Sequence, residues 1–80
     1  MTVSVLLFAR YREAAGASAI SVEVPAGATL ADVWTQVRRS VQGLRNEERP
    51  LFSCDRVYAG PERALTGREE IAAFPPVSGG

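Results

Sequence analysis

Residues 29–43, TLADVWTQVRRSVQG, predict the one long helix of the chain, and the other elements are placed relative to it. Apolar side chains recur along it at helical spacing and form a single stripe: Leu30, Val33, Trp34, Val37 and Val41. Thr29 stands at its start with Asp32 three residues later, the pattern of a capping box in which Asp replaces the usual Glu or Gln. Gly43 ends the predicted helix. Because only one side is apolar, this helix is expected to pack across a sheet.

Two strands are predicted before this helix. Residues 2–8 carry apolar side chains on both faces, which indicates a central strand whose second face is partly covered. Residues 20–24 alternate, with three β-branched side chains inward and polar ones outward. Between these strands, residues 10–15 predict a short helix or turn that Gly16 ends in a left-handed conformation.

Three further strands are predicted after the helix. They cover residues 51–54, 57–59 and 70–74, and a polar surface loop or short turn is expected over residues 44–49. The order ββαβββ with one long helix predicts an α+β chain of the β-grasp (ubiquitin-like) class. In that fold a mixed sheet, here of four to five strands, curls around the main helix.

Three aromatic side chains are predicted to lie on the sheet face away from the helix: Phe8, Tyr58 and Phe74. The side chains expected to face the helix instead are Val3, Val5, Leu7, Val57, Ile71 and Ala73. Because aromatic residues concentrate at the energetic centres of interfaces, the three are interpreted as a docking patch, with Phe74 foremost. The alternative is that a loop covers them. Arg10 and Arg12 are candidates for a charged rim, although exposed arginines usually bind nothing specific.

The composition argues against catalysis by the chain itself. It has no histidine and no lysine, and all nine basic residues are arginine. Ser-His and Cys-His nucleophile pairs, Schiff bases and the commonest metal ligand are therefore excluded. Nine acidic residues balance the arginines, and no basic run predicts a nucleic-acid partner. Cys54 and Trp34 are predicted to be core side chains, and no metal site is expected.

The chain is predicted to be cytoplasmic. A single cysteine permits no internal disulfide, which favours a reducing compartment. No leader peptide is recognised, and no apolar run approaches the roughly 20 residues that cross a bilayer. No membrane association is expected.

The sequence ends in Phe-Pro-Pro-Val-Ser-Gly-Gly, which predicts an extended flexible tail, residues 75–80, on a domain that spans residues 1–74. Pro75 and Pro76 lack an N–H and fix φ, so neither a strand nor a helix continues through them. Glycines have no Cβ, so the end of the main chain fits a slot that admits backbone alone. The reactive group would be the α-carboxylate of Gly80. The alternative is a frayed chain end.

Two stretches at opposite ends of the chain resemble one known family. Residues 7–16, LFARYREAAG, resemble its Phe-Ala-x-x-Arg-Glu-x-x-Gly motif, and residues 74–80 resemble its C-terminus. The family is the molybdopterin synthase small subunits, the MoaD branch of the ubiquitin-like MoaD/ThiS sulfur carriers, and the resemblance covers essentially all 80 residues. The chain departs from the family pattern at Asp55, at residues 67–70 and at Ala73.

This resemblance implies a sulfur carrier in molybdenum cofactor synthesis. In such a carrier, a ubiquitin-activating-like adenylyltransferase uses ATP to adenylate the carboxylate of Gly80. Sulfur from a rhodanese or a cysteine desulfurase then converts it to a thiocarboxylate. The tail donates this sulfur to precursor Z (cyclic pyranopterin monophosphate) in the active site of the large subunit. The family forms heterotetramers, with two small subunits at opposite ends of a large-subunit dimer.

The resemblance also implies roles for individual residues. Gly80 carries the reacting group, no cofactor is bound permanently, and the catalytic side chains belong to the partner. The residues expected to bind the partner are Phe74, Pro75, Pro76, Val77, Ser78, Gly79, Phe8, Arg12 and Tyr58.

Two other functions stay open at this point. One is sulfur carriage for another pathway, thiamin or cysteine synthesis, although the stretch over residues 7–16 argues against the thiamin type. The other is a ubiquitin-like modifier that joins Gly80 to lysines of target proteins. A passive binding module, by contrast, would tolerate the loss of Gly80.

Overall fold

The computed structural model describes residues 1–76. It contains five strands and two α-helices: β1 Thr2–Leu7, α1 Arg10–Ala15, β2 Ala19–Glu23, α2 Leu30–Ser40, β3 Leu51–Cys54, β4 Val57–Ala59 and β5 Ile71–Phe74. A 3₁₀ helix, Gln42–Leu44, follows α2. Each strand and helix predicted from the sequence is therefore present, with bounds that differ by at most three residues.

The strands form one mixed sheet in the order β2-β1-β5-β3-β4. β1 and β5 pair in parallel at its centre, with Val5 opposite Ile71, and the other neighbours are antiparallel. One face of this sheet packs against α2, which confirms the predicted β-grasp fold. None of the helices within residues 1–76 combines the length and the apolarity that crossing a membrane requires.

The core lies between the sheet and α2. Four residues of the predicted helical stripe are buried there, Leu30, Val33, Trp34 and Val37, while Val41 is partly buried against their cluster. The predicted capping box is present: the Asp32 N–H donates to Thr29 Oγ1 (3.3 Å), and the Thr29 N–H donates to Asp32 Oδ2 (3.0 Å). Cys54 is 2% exposed, as expected of a core side chain.

Two sequence predictions about the region after α2 are wrong. The helix ends at Ser40 rather than Gly43, because Val41 adopts an extended backbone (φ −120°, ψ 106°) that stops the helical hydrogen bonding. Leu44, predicted to lie in a polar surface loop or short turn, ends the 3₁₀ helix and is 0% exposed. The 3₁₀ helix turns the chain back, so that this one apolar residue of the stretch enters the core.

Val57 is the other departure from prediction. Its pairing opposite Cys54 does place it on the side of the sheet that α2 covers. However, 67% of its surface is exposed, because β4 is an edge strand of the sheet. Val57 is therefore not a core residue.

Candidate functional site: an aromatic face beside the tail

The sheet face away from α2 brings together the three aromatic residues predicted to lie there. The Phe8 and Phe74 rings stack, with centroids 4.5 Å apart and planes 15° from parallel. Tyr58 meets Phe74 edge-on, with centroids 6.4 Å apart and planes at 64°. Both geometries are favourable for aromatic pairs. We call these three residues the aromatic face.

Strand register explains why they meet. Ser53 of β3 lies between Tyr58 of β4 and Ala72 of β5, and Ala72 pairs with Leu6 of β1. Directly paired residues share a face, so this row points away from α2. Phe74, two residues beyond Ala72, projects to the same side.

The aromatic face surrounds an open cavity of about 300 Å³. Its floor includes the small side chains Ser53 and Ala72, and Arg56 and Glu70 line it as well. These two form an exposed ion pair, with Arg56 Nε 3.5 Å from a Glu70 carboxylate oxygen. The arrangement is an apolar hollow with a charged side.

No loop covers this face in the part of the chain described, 1–76. Phe8 is 38% exposed and Tyr58 is 75% exposed. The alternative that a loop buries the aromatic residues is therefore wrong for these two positions. Exposed large aromatic side chains that touch each other offer apolar area to a partner.

The predicted arginine rim is only partly realised. Arg12 is exposed on α1 and does not line the cavity of the aromatic face, so its role in binding stays a prediction. Arg10 instead forms an ion pair with Glu47, at 3.0 Å between Nη2 and Oε1. This pair raises the pKa of the Arg10 guanidinium, chiefly through the hydrogen bond to Glu47.

The base of the tail leaves the sheet at Phe74. Pro75 is partly buried, and Pro76 lines a second cleft of about 370 Å³ together with Arg10, Gln42, Gly43, Asn46, Glu47 and Glu48. The predicted partner-binding residues Val77, Ser78 and Gly79, and the predicted reactive residue Gly80, lie outside the described residues. Their roles stay predictions.

The loop before β5 is fixed by a carboxylate that the sequence analysis did not single out. Glu69 accepts hydrogen bonds from the backbone N–H of Thr66 (2.8 Å) and of Gly67 (2.9 Å). These hydrogen bonds lower the pKa of Glu69 from 4.5 to about 2, and the bond from Thr66 has the largest effect. The Thr66-x-x-Glu69 spacing is that of a capping box, so the signal was present in the sequence.

Asp55, one of the departures from the family pattern, is accommodated by local hydrogen bonds. Asp55 and Arg56 have φ of 52° and 70°, as the two central residues of a type I′ hairpin turn require. Asp55 also receives the Glu70 N–H at its Oδ1 (2.9 Å) and donates its own N–H to the Glu70 carbonyl (2.9 Å). The β3–β4 turn is thereby tied to the start of β5.

The exposed aromatic side chains of this site offer apolar area for binding. Burial raises the pKa of the Cys54 thiol, which disfavours the nucleophilic thiolate. Residues 1–76 hold no group of three or more His, Cys, Asp or Glu side chains arranged for a metal ion. What the described geometry offers is an exposed aromatic face at the base of a proline-stiffened segment.

Comparison with known proteins finds relatives that agree with one another in family and fold. The model of a family described as the ThiS family matches residues 5–80. The molybdopterin synthase sulfur carrier subunit of Chlamydomonas reinhardtii is 32% identical over 83 residues, covering 100% of both chains. The crystal structure of SAMP1 from Haloferax volcanii is similar at a TM-score of 0.85, with 26% identity and 100% of both chains covered.

A structure from Helicobacter pylori shares the fold. It is a complex of subunits 1 and 2 of molybdopterin-converting factor, with a TM-score of 0.64, 18% identity and 100% of both chains covered. At this identity the similarity concerns the fold alone.

Proposed function

The chain belongs to the ThiS family, and from this premise we propose that it is the sulfur-carrier subunit of a molybdopterin synthase. The observation that carries the proposal is the 32% identity, over the whole of both chains, with a relative of that name. The exposed aromatic face beside the tail supports it, because a carrier must dock on its partners through the body while its end reacts.

The chemistry proposed for the carrier takes place at Gly80. An adenylyltransferase joins the Gly80 carboxylate to AMP from ATP and releases pyrophosphate. The terminal sulfur of a persulfide on a rhodanese or a cysteine desulfurase then displaces AMP and forms an acyl disulfide. A thiol reductant cleaves the S–S bond of that disulfide and leaves the thiocarboxylate. The tail delivers that sulfur to precursor Z in the large subunit, within a heterotetramer. The family match extends to residue 80, so it includes both terminal glycines.

In this proposal the partner supplies the catalytic side chains. The chain has no histidine or lysine, and its one cysteine is buried with a raised pKa. Its own contributions are the reacting carboxylate, a segment narrow enough to enter an active site, and the aromatic face that docks on the large subunit.

A mass measurement tests this function. The chain is incubated with the adenylyltransferase of its host, ATP and a sulfur donor, and its intact mass is compared with that of a chain lacking Gly80. We expect a gain that matches exchange of one oxygen for sulfur, in the full chain alone. If the enzyme is active and no such gain occurs, the carrier function is wrong for that enzyme. Transfer to precursor Z then distinguishes this pathway from thiamin or cysteine synthesis.

A protein modifier is the second candidate. It is favoured by the likeness to SAMP1, whose counterpart from Methanosarcina acetivorans is described as small archaeal modifier protein 1. The last basic residue of this chain is Arg68, so trypsin would leave residues 69–80 attached to a modified lysine. Detection of that branched remnant on other host proteins would favour the modifier. Trypsin would not leave the shorter Gly-Gly remnant, because no basic residue lies closer to Gly80 than Arg68.

A further inference from the structure

The cleft beside Pro76 lies between two parts of the chain that are far apart in sequence. One wall is the start of α1, with Arg10, and the other follows the 3₁₀ helix, with Glu47. The main chain passes from the Phe8–Phe74 stack to this cleft within two residues. The base of the tail is therefore bordered by side chains on both sides of its path.

An ion pair closes the cleft between its two walls. Arg10 donates from Nε to Glu47 Oε2 (3.2 Å) and from Nη2 to Glu47 Oε1 (3.0 Å). Two parallel hydrogen bonds between a guanidinium and a carboxylate fix the relative orientation of both planes as well as their distance. The Glu47 side chain is 27% exposed and that of Arg10 is 54% exposed.

Arg10 and Glu47 both belong to backbone that buried neighbouring residues hold in place. Arg10 precedes Tyr11, which is 0% exposed, and the Glu47 N–H donates to the carbonyl of Leu44, which is also 0% exposed. The two walls are also close to each other at Gly43, which follows α2, and Ala14 of α1. A Cβ added at Gly43 would lie only 3.2 Å from the Cβ of Ala14, which is tighter than an ordinary van der Waals contact. The cleft is thus bordered by anchored backbone on both sides, and the ion pair joins the two sides.

We propose that Arg10 and Glu47 are positioning residues for sulfur transfer, because their ion pair holds the wall against which Pro76 lies. This inference rests on the proposed function, in which Gly80 must reach a partner's active site. Pro76 has a fixed φ, so the orientation of its ring limits the directions in which the following chain can leave. Four residues span at most about 13 Å, so the place from which Pro76 releases the chain limits the region that the Gly80 carboxylate can reach.

A stabilising role and a positioning role of this pair can be told apart by their size. An ion pair with this exposure contributes little to the free energy of unfolding. Misplacement of reacting atoms by about 1 Å, in contrast, can slow a reaction by a factor of roughly 100. The two roles therefore predict different results when the pair is broken.

The test uses three variants of the full chain. Glu47→Gln removes the charge and keeps the shape, and the double variant Arg10→Glu with Glu47→Arg reverses the pair. Arg39→Gln removes an exposed arginine of α2 and is the matched control.

The first measurement does not depend on any partner. In NMR spectra, nuclear Overhauser effects are expected between the Pro76 ring and the side chains of Gln42 and Asn46, which line the same cleft. Glu47→Gln should weaken them, and the reversed pair should restore them. If these effects are absent from the wild type, or unchanged in Glu47→Gln, the pair does not position the tail.

The second measurement is sulfur transfer from the thiocarboxylated chain to precursor Z, in complex with the large subunit. Glu47→Gln should lower kcat about tenfold, with KM for the carrier changed less than about threefold, and the reversed pair should recover most of the loss. Arg39→Gln should match the wild type. An unchanged kcat in Glu47→Gln overturns the inference.

The two proposals fail in distinguishable ways. If the wild type transfers no sulfur, the proposed function is wrong, and the NMR comparison still decides whether the pair orients Pro76. If the wild type transfers sulfur and Glu47→Gln does so equally fast, the function stands and the positioning role does not. A loss of kcat that the reversed pair fails to recover would also contradict a role for the pair itself.

Discussion

Ala9 holds the most unusual backbone conformation beside the aromatic face. Its φ of 51° and ψ of −129° are those of the first central residue of a type II′ turn, and the Tyr11 N–H donates to the Phe8 carbonyl across it (3.1 Å). This turn lets Phe8 lie on the aromatic face while Tyr11, three residues on, is buried in the core. Glycine is the residue that normally occupies such a position.

Replacement of Ala9 by glycine should therefore stabilise the protein. The strain of an L-residue at this φ, about 1–3 kcal/mol, exceeds the entropy that glycine costs on folding, so we expect a net gain of about 1 kcal/mol. For a domain of this size that corresponds to a rise of roughly 4–8 °C in Tm. Ala17→Gly, at a residue without positive φ, is the control and should lower Tm. An equal fall in Tm in both variants would argue against backbone strain at Ala9.

The Glu69 carboxylate should make stability depend on pH in the acid range. Its pKa is lowered to about 2 in the fold, so its contribution is complete above the ordinary value of 4.5 and is lost as pH falls from there toward 2. Glu69→Gln should lower Tm at pH 6, and the difference from the wild type should vanish near pH 2. Thermal melts across this range, with exposed Glu62→Gln as the control, measure it. A difference that is constant with pH would contradict the argument.

At the scale of elements, the region after α2 completes the core. Leu44 enters it from a 3₁₀ helix whose neighbouring residues are largely exposed and polar. The same segment carries Glu47 to the cleft beside the tail. A short irregular element thus contributes both to the core and to the surroundings of Pro76.

Leu44→Ala should be strongly destabilising for this reason. Removing a fully buried leucine side chain leaves a cavity and typically costs about 2–5 kcal/mol. Urea unfolding should show a lower midpoint with an unchanged slope. Leu51→Ala is the matched control, since Leu51 is 46% exposed, and it should cost much less. Similar costs for both would mean that Leu44 is not packed as described.

The elements themselves were predictable because their signals are local. The helical stripe and the Thr29–Asp32 box place α2, and period-two alternation places the aromatic face. The burial of Leu44 was not predictable, because one apolar residue among charged neighbours carries no periodicity. The exposure of Val57 was missed because alternation gives the face of a strand, whereas its position at the edge is a property of the whole sheet.

The site was predicted less completely than the fold. Phe8, Tyr58 and Phe74 share a pattern that can be followed along strands. The Arg10–Glu47 pair joins residues 37 positions apart through an irregular segment, and no spacing rule links them. The glycines of the tail, outside the described residues, were identified from residue types and from the family resemblance.

At the scale of the whole molecule, the aromatic face and the main helix lie on opposite sides of one sheet. Tyr58 and Phe74 project from the face that α2 does not cover. A partner can therefore bind the aromatic face without disturbing the core. Substitutions of exposed residues on the aromatic face should change binding and leave folding intact.

Tyr58→Ala should weaken binding to the molybdopterin synthase large subunit. Loss of a central aromatic contact costs about 2 kcal/mol or more, which is roughly a 30-fold rise in Kd. The neighbouring Val57→Ala is the matched control, because Val57 is similarly exposed on the other face of the same strand. Titration calorimetry with the purified large subunit measures both. Equal Kd values for Tyr58→Ala and the wild type would remove the aromatic face from the interface.

The parallel pairing of β1 with β5 has a consequence for quality control. Phe8 and Phe74 come from opposite ends of the sequence, and their rings meet because these two strands lie side by side at the centre of the sheet. Contacts between segments so far apart in sequence require most of the intervening chain to be in place, because loop-closure entropy opposes them. A partner that binds the stacked pair therefore binds only completed chains. A truncated or misfolded copy that still carried the two glycines would lack the stacked pair, so it should bind the large subunit poorly and deliver little sulfur.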